Sequence, residues 1–229
     1  MNKVGWIIFS AVVVLALGGL IVWTRIANPP INLSGVNNNS IIAASTSNGN
    51  IADHVTGKLD SKVMFIEFGD YQCPSCGGAY PNLKTLLNDY GSKITFVFRN
   101  FPLTTIHPNA RAAAAVAEAA GLQGKYWEMH DTLYQNQNDW NSLDTTQRAK
   151  VFDGYAQTLG LNMDQFHKDI ASSRVDQKIS FDQALGKQEN VDATPTFFLN
   201  GKKLDDTAAS GIVQGDLTQI RSELDALLK

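Results

Sequence analysis

The chain has 229 residues, of which 44% are hydrophobic, and a formal net charge of -3. This length and apolar content suffice for the core of one ordinary domain with extensions, and the absence of a basic excess gives no indication of nucleic-acid binding. Only two cysteines are present, which excludes a scaffold of several disulfides and suggests that the pair serves reactivity.

The first predicted element is a helix that crosses a membrane. Val4 to Trp23 is an uncharged apolar run of 20 residues, long enough at about 1.5 Å per residue to span a hydrocarbon core of about 30 Å. The run is longer than the apolar part of a signal peptide and does not end in small residues. We therefore predict an uncleaved transmembrane signal-anchor over residues 1–26, single-pass in the cell membrane, with the following domain outside the cytoplasm. The alternative is a signal peptide cut near Ala27.

Residues 27–53 form the next segment, which is rich in Asn, Ser, Gly and Pro. Such a composition buries too little apolar surface to order itself, so it predicts a flexible polar linker. A short strand at Ile41 or Ile51, packed on the edge of the domain, is the alternative.

The folded domain is predicted over residues 54–229 and opens with a strand, a helix and a strand. Val63 to Phe68 is an almost uninterrupted apolar run, typical of a strand covered on both faces. Apolar residues at helical spacing then predict a helix over 76–89, and a strand is predicted over 93–98. Elements joined this closely form a right-handed parallel βαβ unit.

Helices are predicted through the middle of the chain, at residues 109–120, 125–136, 145–159, 163–170 and 175–189. Residues 194–202 return to β character, and Asn200-Gly201 is a hairpin signal. An amphipathic helix follows Gly215-Asp216. This order is that of an α/β thioredoxin fold with a helical domain inserted at about residues 107–190.

Both cysteines lie where the first buried strand meets its helix, in Cys73-Pro74-Ser75-Cys76. Pro74 lies in the first turn of the predicted helix, where the backbone N–H that proline lacks would have no partner within the helix. A thiol at a helix N-terminus is stabilised as the thiolate, so Cys73 is the predicted nucleophile and Cys76 its disulfide partner or resolving thiol. Half of a zinc site and a structural disulfide are the alternatives. Because the four histidines provide no close pair to complete a zinc site, no metal is predicted.

Five stretches resemble the DsbA-like thiol-disulfide oxidoreductases, in particular their membrane-anchored branch. They are Phe68–Cys76, Phe98–Leu103, His107–Ala110, Lys125–His130 and Ala193–Phe197. The resemblance runs from about residue 54 to residue 229.

The resemblance implies a cis Thr194–Pro195 bond beside the cysteines, where these residues border the site of an extended substrate. From the sequence alone, Thr-Pro before a strand would suggest an ordinary trans bond. It also implies an acidic residue, Glu67, beneath the disulfide. A buried carboxylate has a raised pKa and would relay a proton to or from Cys76. An edge position in water is the alternative.

One difference from the family lies between the cysteines. The dipeptide is Pro74-Ser75, whereas strongly oxidising members carry Pro-His, and a Ser hydroxyl can donate one hydrogen bond to the Cys73 thiolate but brings no charge. Three further residues match family positions in the insert and are interpreted as packing and helix-start residues: His107, Trp127 and His130.

The resemblance implies an enzyme that donates the Cys73–Cys76 disulfide to reduced or unfolded secreted proteins outside the cytoplasm. A quinone-linked membrane partner would reoxidise the pair, and no cofactor is expected, because the redox-active disulfide Cys73–Cys76 itself carries the electrons. A reductase or isomerase of the same fold is the alternative, and the reduction potential decides between them. A third hypothesis is a non-catalytic module that holds unfolded chains, against which the intact CxxC argues.

Overall fold

The structure, a computed structural model, describes residues 3–27 and 31–229. Two units are distinguished along the chain, Met1–Asn32 and Leu33–Lys229. The predicted N-terminal helix is present as α1, Lys3–Ala27. Among the described residues, however, no helix meets the length and hydropathy that a membrane span requires. The predicted transmembrane signal-anchor is therefore not confirmed.

The second unit is built on a mixed sheet, whose strands in the described part of the chain lie in the order β1-β3-β2-β4-β5. They are β1 His54–Gly57, β2 Met64–Gly69, β3 Thr95–Asn100, β4 Thr196–Leu199 and β5 Lys202–Lys203. The helix α2, Pro74–Tyr90, connects the parallel strands β2 and β3, and the other pairings are antiparallel. The predicted βαβ unit is confirmed, with strand bounds shifted by one or two residues.

The central strands β2 and β3 are buried almost throughout, because both faces of the sheet are covered there. Their continuous apolar runs made them predictable. The edge strand β1 was not predicted, since its sequence His-Val-Thr-Gly has no apolar run and its residues are only partly buried.

Six helices follow β3 in the described chain and form the insert. They are α3 Ala110–Gly121, α4 Tyr126–Gln135, α5 Gln137–Trp140, α6 Thr145–Thr158, α7 Met163–Ile170 and α8 Ser173–Gln188. The starts of α6, α7 and α8 are set by Asp144, Asn162 and Ser172, whose side chains accept hydrogen bonds from free backbone N–H groups. After the sheet come α9, Asp206–Gln214, and α10, Thr218–Leu227. The short helix α5 and the helix α9 were not predicted.

The prediction of a flexible linker over residues 27–53 is wrong for its second half, which packs on the domain. The guanidinium of Arg99 on β3 is buried and donates to the backbone oxygens of Asn38 and Ser40 at 2.7 and 2.9 Å. Ile51 is buried as well, although neither it nor Ile41 lies in a strand. The partners that order this segment lie on a distant strand, so its composition could not indicate them.

A cluster of buried charges completes this contact. Asp53 pairs with Arg99 at 2.7 Å and with Lys178 of α8 at 3.1 Å, and Lys178 also pairs with Asp182 at 2.8 Å. Burial alone would raise the pKa of Asp53, but Lys178 and Arg99 hold it at about 2. Each charge therefore depends on its partners to remain buried.

Candidate active site

The two cysteines occupy the beginning of α2, as predicted. Cys73 is the N-cap residue, Pro74 is the first helical residue, and Cys76 lies in the first turn. Both are free thiols, and both are buried. Since the backbone N–H groups of a first helical turn have no partner within the helix, this position favours a negative charge on Cys73.

Cys73 is the acidic thiol of the pair. The largest influence on its pKa is a hydrogen bond from the side chain of Cys76. Thr194 and the backbone N–H groups of Cys76 and Ser75 make smaller contributions in the same direction. Together they outweigh the opposing effect of burial and lower the pKa of Cys73 to about 5. In its thiol form, Sγ of Cys73 donates to the backbone oxygen of Thr194 at 3.2 Å. Ser75 contributes through its backbone N–H, and the role of its hydroxyl stays a prediction.

Cys76 has the opposite character. Its side chain is 1% exposed, and burial raises its pKa well above the ordinary value. The backbone N–H of Asp70 approaches its sulfur at 3.5 Å. At neutral pH the reduced pair therefore consists of a thiolate at Cys73 and a thiol at Cys76.

Glu67 is buried in the centre of the sheet, as predicted, and the alternative of a solvated edge position is wrong. It lies on β2 in register with Phe98 of β3 and Phe197 of β4, and it is 1% exposed. Burial, with a smaller contribution from the charge of Cys73, raises its pKa to about 8. Its carboxyl group is therefore protonated at neutral pH and available as a proton donor.

The Thr194–Pro195 peptide bond is cis, as the resemblance implied. These two residues and Ser75 line an open pocket of about 330 Å³ whose other wall is α9, with Asp206, Ala209, Ser210, Val213 and Gln214. The sequence analysis missed this wall, because the helix signal of α9 is short and contains Gly211.

A second missed residue is Gln137, at the start of α5. Its amide donates to the backbone oxygens of Tyr71 and Cys73 at 2.7 and 2.9 Å. A Cβ at Gly77 would stand 2.6 Å from Oε1 of Gln137, so only glycine admits this close approach. Gln137 thereby positions the loop that carries the nucleophile. No sequence signal distinguished it from other polar residues of the insert.

The three family-matching residues of the insert have structural partners. His107 contacts Asp70 at 2.7 Å, and the indole of Trp127 donates to the backbone of Val55 at 3.1 Å. His130 is buried among aromatic rings, with Phe98 at 4.9 Å between ring centroids. In the described residues, no group of three His, Cys, Asp or Glu side chains is placed to hold a metal ion.

The family is decided by comparison with known sequences. The sequence model of the family described as "Thioredoxin" matches residues 49–214. The chain belongs to the thioredoxin family.

Solved structures with this thioredoxin-family fold include DsbA-like proteins. Oxidised BdbD from Bacillus subtilis superposes with a TM-score of 0.63 at 24% identity, over 84% of this chain and 99% of BdbD. The thiol-disulfide exchange protein alpha-DsbA2 from Wolbachia pipientis gives 0.63 at 22% identity, over 76% and 87%. The predicted α/β fold with its helical insertion is confirmed, as is the likeness of this fold to DsbA-like proteins; the membrane-anchored branch stays a prediction.

A curated relative of this thioredoxin-family chain is a much longer protein. The Na(+)/H(+) antiporter NhaA 1 from Salinispora arenicola is 41% identical over 151 residues, which are 66% of this chain and 22% of the antiporter. The chain thus spans about a fifth of the length of the curated relatives it matches.

Proposed function

We propose that this protein is a thiol-disulfide oxidoreductase that works as an oxidase and donates the Cys73–Cys76 disulfide to other proteins. The observation that carries the proposal is the asymmetry of the two thiols. The pKa of Cys73 is lowered to about 5, while that of Cys76 is raised well above its ordinary value. The sulfur of Cys73 is therefore suited to attack a disulfide and to leave as a thiolate, and the sulfur of Cys76 is suited to resolve a mixed disulfide.

The exchange proceeds in two displacements. A client thiolate attacks Sγ of Cys73, the bond to Cys76 breaks, and the electron pair passes to Sγ of Cys76, which takes up a proton. A second client thiolate attacks the client sulfur of the mixed disulfide and expels Cys73 as a thiolate. The client loses two electrons, and the protein pair becomes one thiolate and one thiol.

The stabilised Cys73 thiolate favours donation over reduction of client disulfides. A thiol with a low pKa is a good leaving group, and stabilising the reduced form makes the disulfide form more oxidising. Glu67 can assist the exchange itself, because its protonated carboxyl can neutralise the Cys76 thiolate as it leaves.

Reduced or unfolded secreted proteins are the proposed clients, and a quinone-linked membrane protein is the proposed electron acceptor. A location outside the cytoplasm is supported by the apolar run Val4–Trp23 and by the compartments in which disulfides persist. We infer that this run anchors the domain at the membrane. A membrane-bound protein that begins at Met1 or Asn2 would support the anchor, whereas a released form beginning near Ala27 would identify a cleaved signal.

Equilibration with glutathione buffers of graded potential tests the oxidase assignment. A potential well above the roughly -270 mV of thioredoxin, towards the roughly -120 mV of the strongest oxidants, is the expected result. A value near that of thioredoxin would identify a reductase. Failure of the protein to exchange disulfides with any reduced unfolded client would refute the enzyme and favour a binding module.

A further inference from the structure

A cavity of about 210 Å³ lies behind the dithiol, between β2, α2 and α4. Glu67 and Cys76 line it, and so do Lys84, His130 and Asp131. At roughly 30 Å³ for each molecule of liquid water, it has room for several waters. It therefore places the buried acid and the buried thiol against a common polar space.

Three residues that line this cavity carry a buried polar atom with no hydrogen-bond partner among the described residues. They are Glu67 at Oε1, His130 at Nε2 and Tyr134 at the hydroxyl. A buried polar atom without a partner destabilises the folded state. Three such atoms around one cavity are accounted for together if water in the cavity bonds to them.

The cavity reaches solvent away from the nucleophile. Lys84 lies eight residues beyond Cys76 on α2, about 12 Å along the helix axis. Its ammonium pairs with Asp131 at 2.7 Å, and its side chain is 47% exposed. A client bound at Cys73 would therefore leave this end of the cavity open to water.

His130 lines the same cavity as Glu67 and contacts Asp131 of the exposed end. Its Nδ1 is 3.1 Å from Oδ1 of Asp131. Burial opposes ionisation of Asp131, but His130 and Lys84 lower its pKa below the ordinary value. An ionised Asp131 can only accept a hydrogen bond, so the proton of the neutral His130 ring lies on Nδ1, which faces Asp131. The other ring nitrogen, Nε2, is then able to accept a proton. Burial also lowers the pKa of His130 itself, so the ring is neutral and able to accept a proton and pass it on.

We propose that this cavity is the proton route of the buried dithiol, and that His130 passes protons through water between Glu67 and the surface at Lys84 and Asp131. The inference deepens the proposed function and rests on it. Each reduction of the disulfide brings one proton to Cys76, and each reoxidation removes it, so the proton must cross the protein while the client covers Cys73. His130 is a positioning residue in this scheme, because it acts through Glu67.

The other titratable groups on this route come from two elements. Cys76, Tyr80 and Lys84 face the cavity from α2, and Asp131 and Tyr134 face it from α4. β1 and β3 contribute Thr56 and Phe96, which do not titrate. His54 acts on His130 electrostatically as well. Of these groups, only Lys84 and Asp131 form an ion pair at the exposed end.

The test is a pH jump on the reduced full-length protein without a client, from about pH 6.5 to about pH 9.5, across the pKa of Glu67 at about 8. Time-resolved infrared absorption follows loss of the protonated carboxyl, whose band is assigned by its disappearance in Glu67→Gln. We expect His130→Gln to slow this loss at least ~100-fold, the lower end of the range for a proton-transfer group. Tyr134→Phe and Lys84→Met should slow it less.

Lys125→Met is the matched control, since Lys125 is 43% exposed and pairs with Glu128 at 2.9 Å away from the cavity. It should leave the rate unchanged. Equal rates in wild type, His130→Gln and Tyr134→Phe would overturn the proposal. If His130→Gln fails to fold, Lys84→Met decides, because the Lys84 side chain is 47% exposed and its replacement should be tolerated; an unchanged rate in Lys84→Met would then overturn the proposal. The measurement needs no client, so its result is independent of the disulfide-donation assay. The proton route can therefore be refuted while disulfide donation is confirmed, and disulfide donation can be refuted while the proton route is confirmed.

Discussion

Glu67→Gln should stabilise the reduced protein while impairing its exchange activity. The carboxyl is buried in the sheet and its pKa is raised from 4.5 to about 8. As pH rises through 4.5, the unfolded chain loses this proton, whereas the folded protein keeps it until about pH 8. Folding stability therefore declines across this window because of Glu67, and a neutral amide of the same shape removes the decline.

The size of this stability change follows from the difference between pH 7 and the ordinary pKa of Glu67, 4.5. About 2.5 pH units at about 1.36 kcal/mol each give a cost of about 3 kcal/mol at pH 7. The gain from Glu67→Gln should therefore approach 3 kcal/mol at pH 7 and fall below about 0.5 kcal/mol at pH 4. It should be smaller in the disulfide form, because the charge of Cys73, the second cause of the raised pKa, is then absent.

Urea unfolding at a series of pH values between 4 and 8 measures this gain in both redox forms. Glu128→Gln is the matched control, since Glu128 is 45% exposed and pairs with the exposed Lys125; its effect should stay below about 1 kcal/mol. A gain that does not vary with pH, or no gain at pH 7, would refute the assignment of Glu67 as a buried neutral acid.

Three further outcomes are expected. Cys76→Ala should accumulate mixed disulfides with clients through Cys73, whereas Cys73→Ala should accumulate none, as measured by non-reducing electrophoresis and mass spectrometry; equal trapping by both would reverse the roles. Alkylation of Cys73 by iodoacetamide should rise with pH to a plateau with a midpoint at about 5, and a midpoint near 8.5 would indicate an ordinary thiol. Lys178→Met should cost about 3–5 kcal/mol in denaturant unfolding because it removes the ion-pair partner that the buried Asp53 and Asp182 share; the exposed Lys125→Met should cost less than about 1 kcal/mol.

Local chemistry made the nucleophile predictable. Cys73 and Pro74 lie at the start of a helix whose apolar spacing is visible in the sequence, and the strand before it is a continuous apolar run. The position of a thiol at a helix N-terminus depends on the next four residues only, so the low pKa of Cys73 could be inferred without any tertiary contact. The burial of Glu67 in the same strand was implied by the family resemblance, and the strand pattern alone left an edge position open.

Contacts between distant residues decided the rest of the site. The oxygen that Cys73 meets belongs to Thr194, 121 residues further along the chain, and only the family resemblance connected the two. Gln137 reaches the nucleophile loop from a helix of four residues. Such partners are polar residues in ordinary surroundings, and their role arises only when the insert folds back on the sheet.

The sequence determined the elements whose signal is local: the central strands, α2 and the capped helices of the insert. Tertiary structure alone decided that Arg99 binds residues 38–40 and thereby orders a segment with the composition of a linker. It also decided that His130 and Glu67 share one cavity. The physical reason is that a hydrogen bond or a cavity depends on where several elements meet, whereas the periodicity of a strand or helix is set by its own residues.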